Sequence, residues 1–337
     1  MKGRDLLILG AVLLVGGLAV ADSLRSDEAR VETRPATTEP AESATTTTEV
    51  PDENLGRELF PEVSGAPGSI VLAQTGSCAI REVDLPTGIE LPNVVERSTC
   101  QLWAARVTFK VAVGIGEPVG DAVPFRFLDL GRRGRDLGNS EAAFGFLIWS
   151  EDGQRAAWCN RRLEGIDLEL DGARRRLDGC PAAYTPDGEI VYARGDRLYV
   201  EDRPGLQASG GITAVHYGND GSLAVVVDGR RVERYIGDRL AEEFDFPERY
   251  EGRLPVLSPD NCSAAFRAGD RMRILDVGCS PFGRQGGLFP GHTAAWSPDG
   301  GWLVVGGPAE TTFYDLVGDR EPVTWPIGAA QIVWRRS

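Results

Sequence analysis

Ala294-Ala295-Trp296-Ser297-Pro298-Asp299-Gly300 runs, after Gly301, into the apolar stretch Trp302-Leu303-Val304-Val305. A proline presets one turn dihedral and Asp-Gly tolerates positive φ, so the chain reverses tightly between two apolar runs. The same phrase stands at Ala182-Ala183-Tyr184-Thr185-Pro186-Asp187-Gly188, followed by Ile190-Val191-Tyr192-Ala193 and then Arg197-Leu198-Tyr199-Val200. Weaker copies are Trp149-Ser150-Glu151-Asp152-Gly153, Tyr217-Gly218-Asn219-Asp220-Gly221 and Leu257-Ser258-Pro259-Asp260-Asn261. The last turn residue falls at 153, 188, 221, 261 and 300, at intervals of 35, 33, 40 and 39.

Runs of four to six Val, Ile, Leu and aromatic residues flank each turn and read as strands. Each repeat is then a small antiparallel sheet that cannot cover both of its faces alone. Packing neighbouring sheets face to face around an axis covers them, and that is a propeller. A linear solenoid is the rival, but its terminal repeats need distinct polar caps. The expected fold is therefore all-β, a β-propeller of four-stranded blades over 64–337.

Gln331-Ile332-Val333-Trp334 reads as one more first strand. Ser69-Ile70-Val71-Leu72-Ala73 and Cys78-Ala79-Ile80-Arg81-Glu82-Val83 read as later strands without a first. Pairing the C-terminal strand with the N-terminal ones closes the ring and removes exposed sheet edges. A weakly marked blade from about Gln101 to Leu130 brings the count to seven, with six as the alternative.

The repeat resembles that of TolB-type, WD40-like propellers, whose hallmark is a Trp-Ser-Pro-Asp-Gly turn between the first two strands of a blade. Trp296–Gly300 matches it fully, and Tyr184–Gly188 nearly so. The resemblance covers about 140–337 well and 69–139 poorly. Gly291-His292 stands where WD40 blades carry Gly-His, while Tyr314-Asp315 replaces their terminal Trp-Asp. By analogy, the resemblance implies a propeller that docks an envelope or periplasmic protein.

The N-terminal part has a different character. Residues 1–5 are a short polar start with Lys2 and Arg4, and Leu6–Ala21 is free of charge. Sixteen helical residues span only about 24 Å, short of the roughly 30 Å hydrocarbon core. The segment 6–21 reads as a retained signal anchor with a cytoplasmic tail at 1–5. The alternative is a cleaved signal peptide, since Ala19-Val20-Ala21 fits the cleavage pattern. Either way the body is extracytoplasmic, in a single-pass membrane protein or a secreted one. Residues 22–63 are rich in Thr, Pro and Glu and read as a disordered linker.

All six cysteines lie in the exported part. Fifteen connectivities are open in principle. Their clustering into three local pairs favours Cys78–Cys100, Cys159–Cys180 and Cys262–Cys279, since an oxidising compartment favours disulfides. No CxxC or paired-histidine spacing supports a metal site. The formal charge is −14, and 22–68 hold four arginines against eleven acidic residues. A nucleic-acid partner needs a clustered basic face and is not expected. The runs Arg132-Arg133, Arg174-Arg175-Arg176 and Arg230-Arg231 have acidic neighbours and read as solvated turns.

Chemistry is weakly signalled. The two histidines, His216 and His292, each precede a turn on an expected innermost strand and are the candidates for the central channel. A metal ligand or a general base there competes with a histidine hydrogen-bonded between blades. No G-x-S-x-G motif is present, and Gly114-Ile115-Gly116 misses the dinucleotide spacing. Asp187, Asp220, Asp260 and Asp299 read as turn residues, and Trp149, Tyr184, Tyr217 and Trp296 as inter-blade packing. No catalytic, cofactor-binding or metal-ligating residue is assigned, and no cofactor is expected.

The expected function is a membrane-tethered binding scaffold for a protein or ligand at the cell envelope, working as a monomer because a closed ring satisfies its own edges. The alternative is an enzyme, a hydrolase or lyase, with its site at the central channel. A sensor signalling through the anchor is a third reading, weakened by the few residues on the far side.

Overall fold

The computed structural model describes residues 60–336 apart from 92–98, 116–121, 133–134, 145–146, 161, 163, 171, 247–254, 277–278 and 280–286. The tail 1–5, the apolar segment 6–21 and nearly all of the linker 22–63 lie outside the described residues. Among the described residues no helix is long and apolar enough to cross a membrane.

The body is a ring of seven antiparallel sheets. Blade I is formed from both ends of the sequence: Ala329–Arg335 pairs with Ser69–Gln74, which pairs with Ile80–Asp84. A single bridge, Val83 to Glu90, stands where a fourth strand would lie. Blades II to VII are four-stranded and follow in chain order. Their innermost strands are Leu102–Ala104, Leu147–Trp149, Ala182–Tyr184, Ile212–Tyr217, Val256–Leu257 and Thr293–Trp296. Seven is the expected count, and the weakly marked blade is real. It extends beyond Leu130 to a fourth strand, Arg135–Phe144.

Position within a blade explains composition. The second strands are covered on both faces by neighbouring blades and are mostly apolar. Leu223–Val227 and Trp302–Gly306 are buried at every residue. The outermost strands meet water, and Arg203–Gln207 and Arg239–Asp245 are accordingly polar and mostly exposed. Between blades II and III the contact is aromatic. Phe125 lies edge-on to Trp158 at 5.3 Å between ring centroids, and Phe127 edge-on to Trp149 at the same distance.

The repeated turn is held by a repeated set of bonds. In blade VII, Ser297 Oγ donates to Asp299 Oδ1 at 2.5 Å, while the amides of Gly301 and Trp302 donate to Asp299 Oδ1 and Ser297 Oγ. Blade III repeats this with Ser150 and Asp152, and blade VI with Ser258 and Asp260. Gly153, Gly188, Gly221, Asn261 and Gly300 all have positive φ. The aspartates at 152, 220, 260 and 299 are thus turn-forming groups, three of them as expected from the repeat.

Three disulfides join Cys78 to Cys100, Cys159 to Cys180 and Cys262 to Cys279, as expected. Each ties neighbouring segments of the ring: the second pair links blade III to the approach to blade IV. Packing begins slightly before 64. Phe60 and Val63, at the end of the expected linker, are buried in the core of blades I and VII. Phe60 packs on Trp325 at 4.8 Å between ring centroids, and Trp325 Nε1 donates to the Pro61 carbonyl.

Ring closure carries a buried ion pair. Arg335 Nη1 lies 2.7 Å from Glu82 Oε1, with the two side chains 3% and 0% exposed. Arg335 also donates to the carbonyls of Ala105 and Lys110 in blade II, so one guanidinium joins the first and third strands of blade I to the next blade.

Candidate functional site

The turns that follow the innermost strands gather at one end of the central channel. Around them lies a cavity of about 470 Å³, lined by innermost strands of blades I to V and by their turns. Its composition follows from one register position of the repeat. In blade VII the amide of Ser297 bonds the carbonyl of Trp302, and Pro298 is the next residue. The equivalent bonds run from Ser258 to Ser263, Ser150 to Arg155 and Ala105 to Lys110, which places Pro259, Glu151 and Arg106 at the same position. Pro186 and Asn219 occupy it in blades IV and V, and Arg336, two residues past Trp334, in blade I. Seven residues therefore ring this end of the channel. Three are proline, and the other four are polar or charged: Arg336, Arg106, Glu151 and Asn219.

Those four are interconnected. Arg336 Nη1 lies 2.8 Å from Glu151 Oε1, and Nη2 donates to Asn219 Oδ1 at 3.0 Å. The Arg336 amide donates to the Arg106 carbonyl at 2.8 Å. Asn219 is fixed in turn: its amide donates to the Pro259 carbonyl, and its side-chain nitrogen to the Pro298 carbonyl.

His216 completes the wall. Its Nδ1 is 2.6 Å from Asn261 Oδ1, and its Nε2 is 3.3 Å from Arg106 Nη2. Asn261 spends its amide nitrogen on the carbonyl and hydroxyl of Ser222, so its oxygen faces the imidazole. His216 then donates from Nδ1, leaving the Nε2 lone pair to accept from Arg106. Burial and the adjacent Arg106 cation lower its pKa to about 4, against the opposing effect of the Asn261 bond. The imidazole is neutral at pH 7.

The candidate channel histidines therefore separate. His216 lines the cavity, near the turn end of the innermost strand of blade V. His292 does not line it. It precedes Thr293, at the start of the innermost strand of blade VII and so toward the other end of the channel, and its amide bonds the Gly306 carbonyl. The aromatics of the innermost strands pack between blades: Trp149 Nε1 donates to the Trp103 carbonyl, and Trp296 Nε1 to that of Val256. Tyr184 donates from its hydroxyl to the buried Asp167, which also pairs with Arg155. Among the described residues no group of three or more His, Cys, Asp or Glu is placed to hold a metal ion.

The sequence reading singled out His216 but missed Arg106, Glu151, Asn219 and Arg336. A signal for two of them was present. Glu151 and Asn219 depart from the proline of the repeat at the position that faces the channel.

No known family model matches this chain. No curated protein matches it either. Solved structures do. A protein from Lactobacillus plantarum is similar at 13% identity and a TM-score of 0.50, over 79% of this chain and 98% of that one. The β-propeller domain of Cps50 (Swd1) from Myceliophteria thermophila aligns at 17% identity and a TM-score of 0.47, over 73% and 93% of the two chains. Hydrazine synthase from Kuenenia stuttgartiensis aligns at 16% identity and a TM-score of 0.46, over 64% and 76%. At such identities the likeness is one of fold alone, and the fold of this chain is a seven-bladed β-propeller.

Proposed function

We propose that this chain is an exported, TolB-like propeller of a bacterial cell envelope, anchored through 6–21, that binds a partner or ligand and does not transform it. The observation that carries the reading is how the channel groups are used. Both ring nitrogens of His216 are engaged in hydrogen bonds, and Glu151 is paired with Arg336. A general base needs a free lone pair facing substrate at a working pKa near neutrality. His216, with its acceptor occupied and its pKa near 4, suits a structural and orienting role. Three disulfides support an oxidising compartment outside the cytoplasm. A rigid ring carrying loops on two rims suits docking, because function on such folds resides in loops and grafted sites.

Two measurements in intact cells of the native host test this. Thiol trapping before lysis is expected to find all six cysteines oxidised, and free thiols throughout would remove the export reading. Crosslinking followed by mass spectrometry is expected to recover a stoichiometric envelope partner on one rim. Turnover of a substrate in the channel, lost on substitution of His216, would replace the binding reading with an enzymatic one.

A further inference from the structure

Charge at the turn end of the channel is unevenly matched. Arg336 is neutralised by Glu151 and held by Asn219. Arg106 has no such contact pair, although the Glu151 carboxylate acts on it from a distance. Among the described residues its one side-chain partner is Nε2 of the neutral His216, and no carboxylate lies within ion-pair distance. A guanidinium offers five N–H donors in a planar fork. Among the described residues, most of those on Arg106 have no protein acceptor. The group borders the cavity, reached by water yet ringed by protein, and its pKa is lowered first by that surrounding and then by the Arg336 cation, with the Glu151 carboxylate acting the other way.

We propose that the channel cavity binds a small monocarboxylate with an apolar body, its carboxylate seated on the Arg106 fork. The inference rests on the binding reading above and adds the ligand class. The fork of a guanidinium matches a carboxylate bidentately. Two guanidinium groups, one carboxylate and a neutral imidazole leave a single positive charge at the cavity, which one negative charge balances and a dianion exceeds. The wall beyond the charged ring is apolar and aromatic, with Leu147, Trp149, Tyr184, Val215, Tyr217 and Val333. The volume of about 470 Å³ falls within the range for small-molecule sites, roughly 300–1,000 Å³. His216 is a positioning residue: its Nε2 acceptor orients the Arg106 fork, and Asn261 fixes the tautomer that makes it an acceptor.

Calorimetric titration of the full chain with benzoate, inorganic phosphate and the cationic isostere benzamidine tests the proposal. Benzoate is expected to bind, with phosphate and benzamidine weaker by at least about tenfold. Arg106→Gln removes a charge-assisted bond and is expected to weaken benzoate at least about tenfold. Glu151→Gln frees Arg336 as a second cation and is expected to tighten it. This second variant adds no bulk and stands independently of how well Arg106→Gln folds. Failure of benzoate to bind, preference for phosphate or benzamidine, or unchanged affinity in Arg106→Gln would each overturn the proposal. A crosslinked envelope partner together with no benzoate binding would sink the ligand class and leave the binding reading standing. Loss of both would remove both.

Discussion

Removing Arg335 is expected to be among the most damaging single changes in the ring. The side chain is 3% exposed and faces Glu82, which is wholly buried. Replacing Arg335 with Met keeps the apolar stem and deletes the charge. Glu82 is then left with one donor, the Ser69 hydroxyl at 3.0 Å, while its Oε2 already lacks a partner. Breaking a buried pair from one side costs about 3–5 kcal/mol, because the remaining charge stays buried and uncompensated. The carbonyls of Ala105 and Lys110 also lose a charged donor. The expectation is a loss near the top of that range, about 4–5 kcal/mol. Urea unfolding followed by tryptophan fluorescence reads it as a fall in midpoint at constant slope. The double variant Arg335→Met/Glu82→Leu removes both charges and is expected to regain most of the loss. Because the pair is buried, roughly 1 M salt should change the result little. A single variant within about 1 kcal/mol of wild type, or a double variant less stable than the single, would refute the assignment of Arg335–Glu82 as the ring's polar lock.

Three further outcomes are expected. His216 takes a proton near pH 6.5 in the unfolded chain and near 4 in the folded one, so the unfolded state binds more protons between those values. Stability should therefore fall as pH drops through that window, by roughly 3 kcal/mol at most, and His216→Gln should lack that part of the loss. Equal losses in both proteins between pH 7 and 4 would contradict the neutral, Asn261-bound imidazole. Opening Cys159–Cys180 by a double alanine substitution releases a 21-residue separation and should cost about 3 kcal/mol by loop-closure entropy, read in the same unfolding assay. Gly188 has φ +82 with open space around a would-be Cβ, so Gly188→Ala should cost about 1 kcal/mol from backbone strain alone. Gly188→Asn should be milder, because Asn261 already occupies that turn position at φ 58.

Architecture was legible wherever the chain repeats a physical requirement. Each turn needs a residue at positive φ and an acceptor for two amides, so Ser/Thr-Pro-Asp-Gly recurs and marks the blades. Blade II was faint because Ala105 stands where blades III, VI and VII carry serine, so its turn lacks the hydroxyl-to-aspartate bonds that leave the signature. Blade I was found through strands that lacked partners locally, Ser69–Ala73 and Gln331–Trp334. The site was less legible. Arg106, Glu151, Asn219 and Arg336 are scattered across the sequence and converge only because the ring brings one register position of several blades to a common axis. His216 was visible by rarity, His292 equally so, and nothing in their local sequence says that their strands present them at different ends of the channel.

The shared blade also fixes an order of events. Arg335 and Glu82 are 253 positions apart, so bringing them together costs about 5 kcal/mol of loop-closure entropy before any contact repays it. Blades II to VII need only neighbouring hairpins, and each can form as its own segment becomes available. Until Ala329–Arg335 arrives, Ser69–Gln74 waits with an open edge bearing Ile70, Val71 and Leu72. That interval is when the nascent chain is most exposed to strand-adding neighbours and to proteases. A lesion that deletes or delays the final strand would therefore act less by weakening a finished ring than by lengthening the time an unfinished one spends in the crowd.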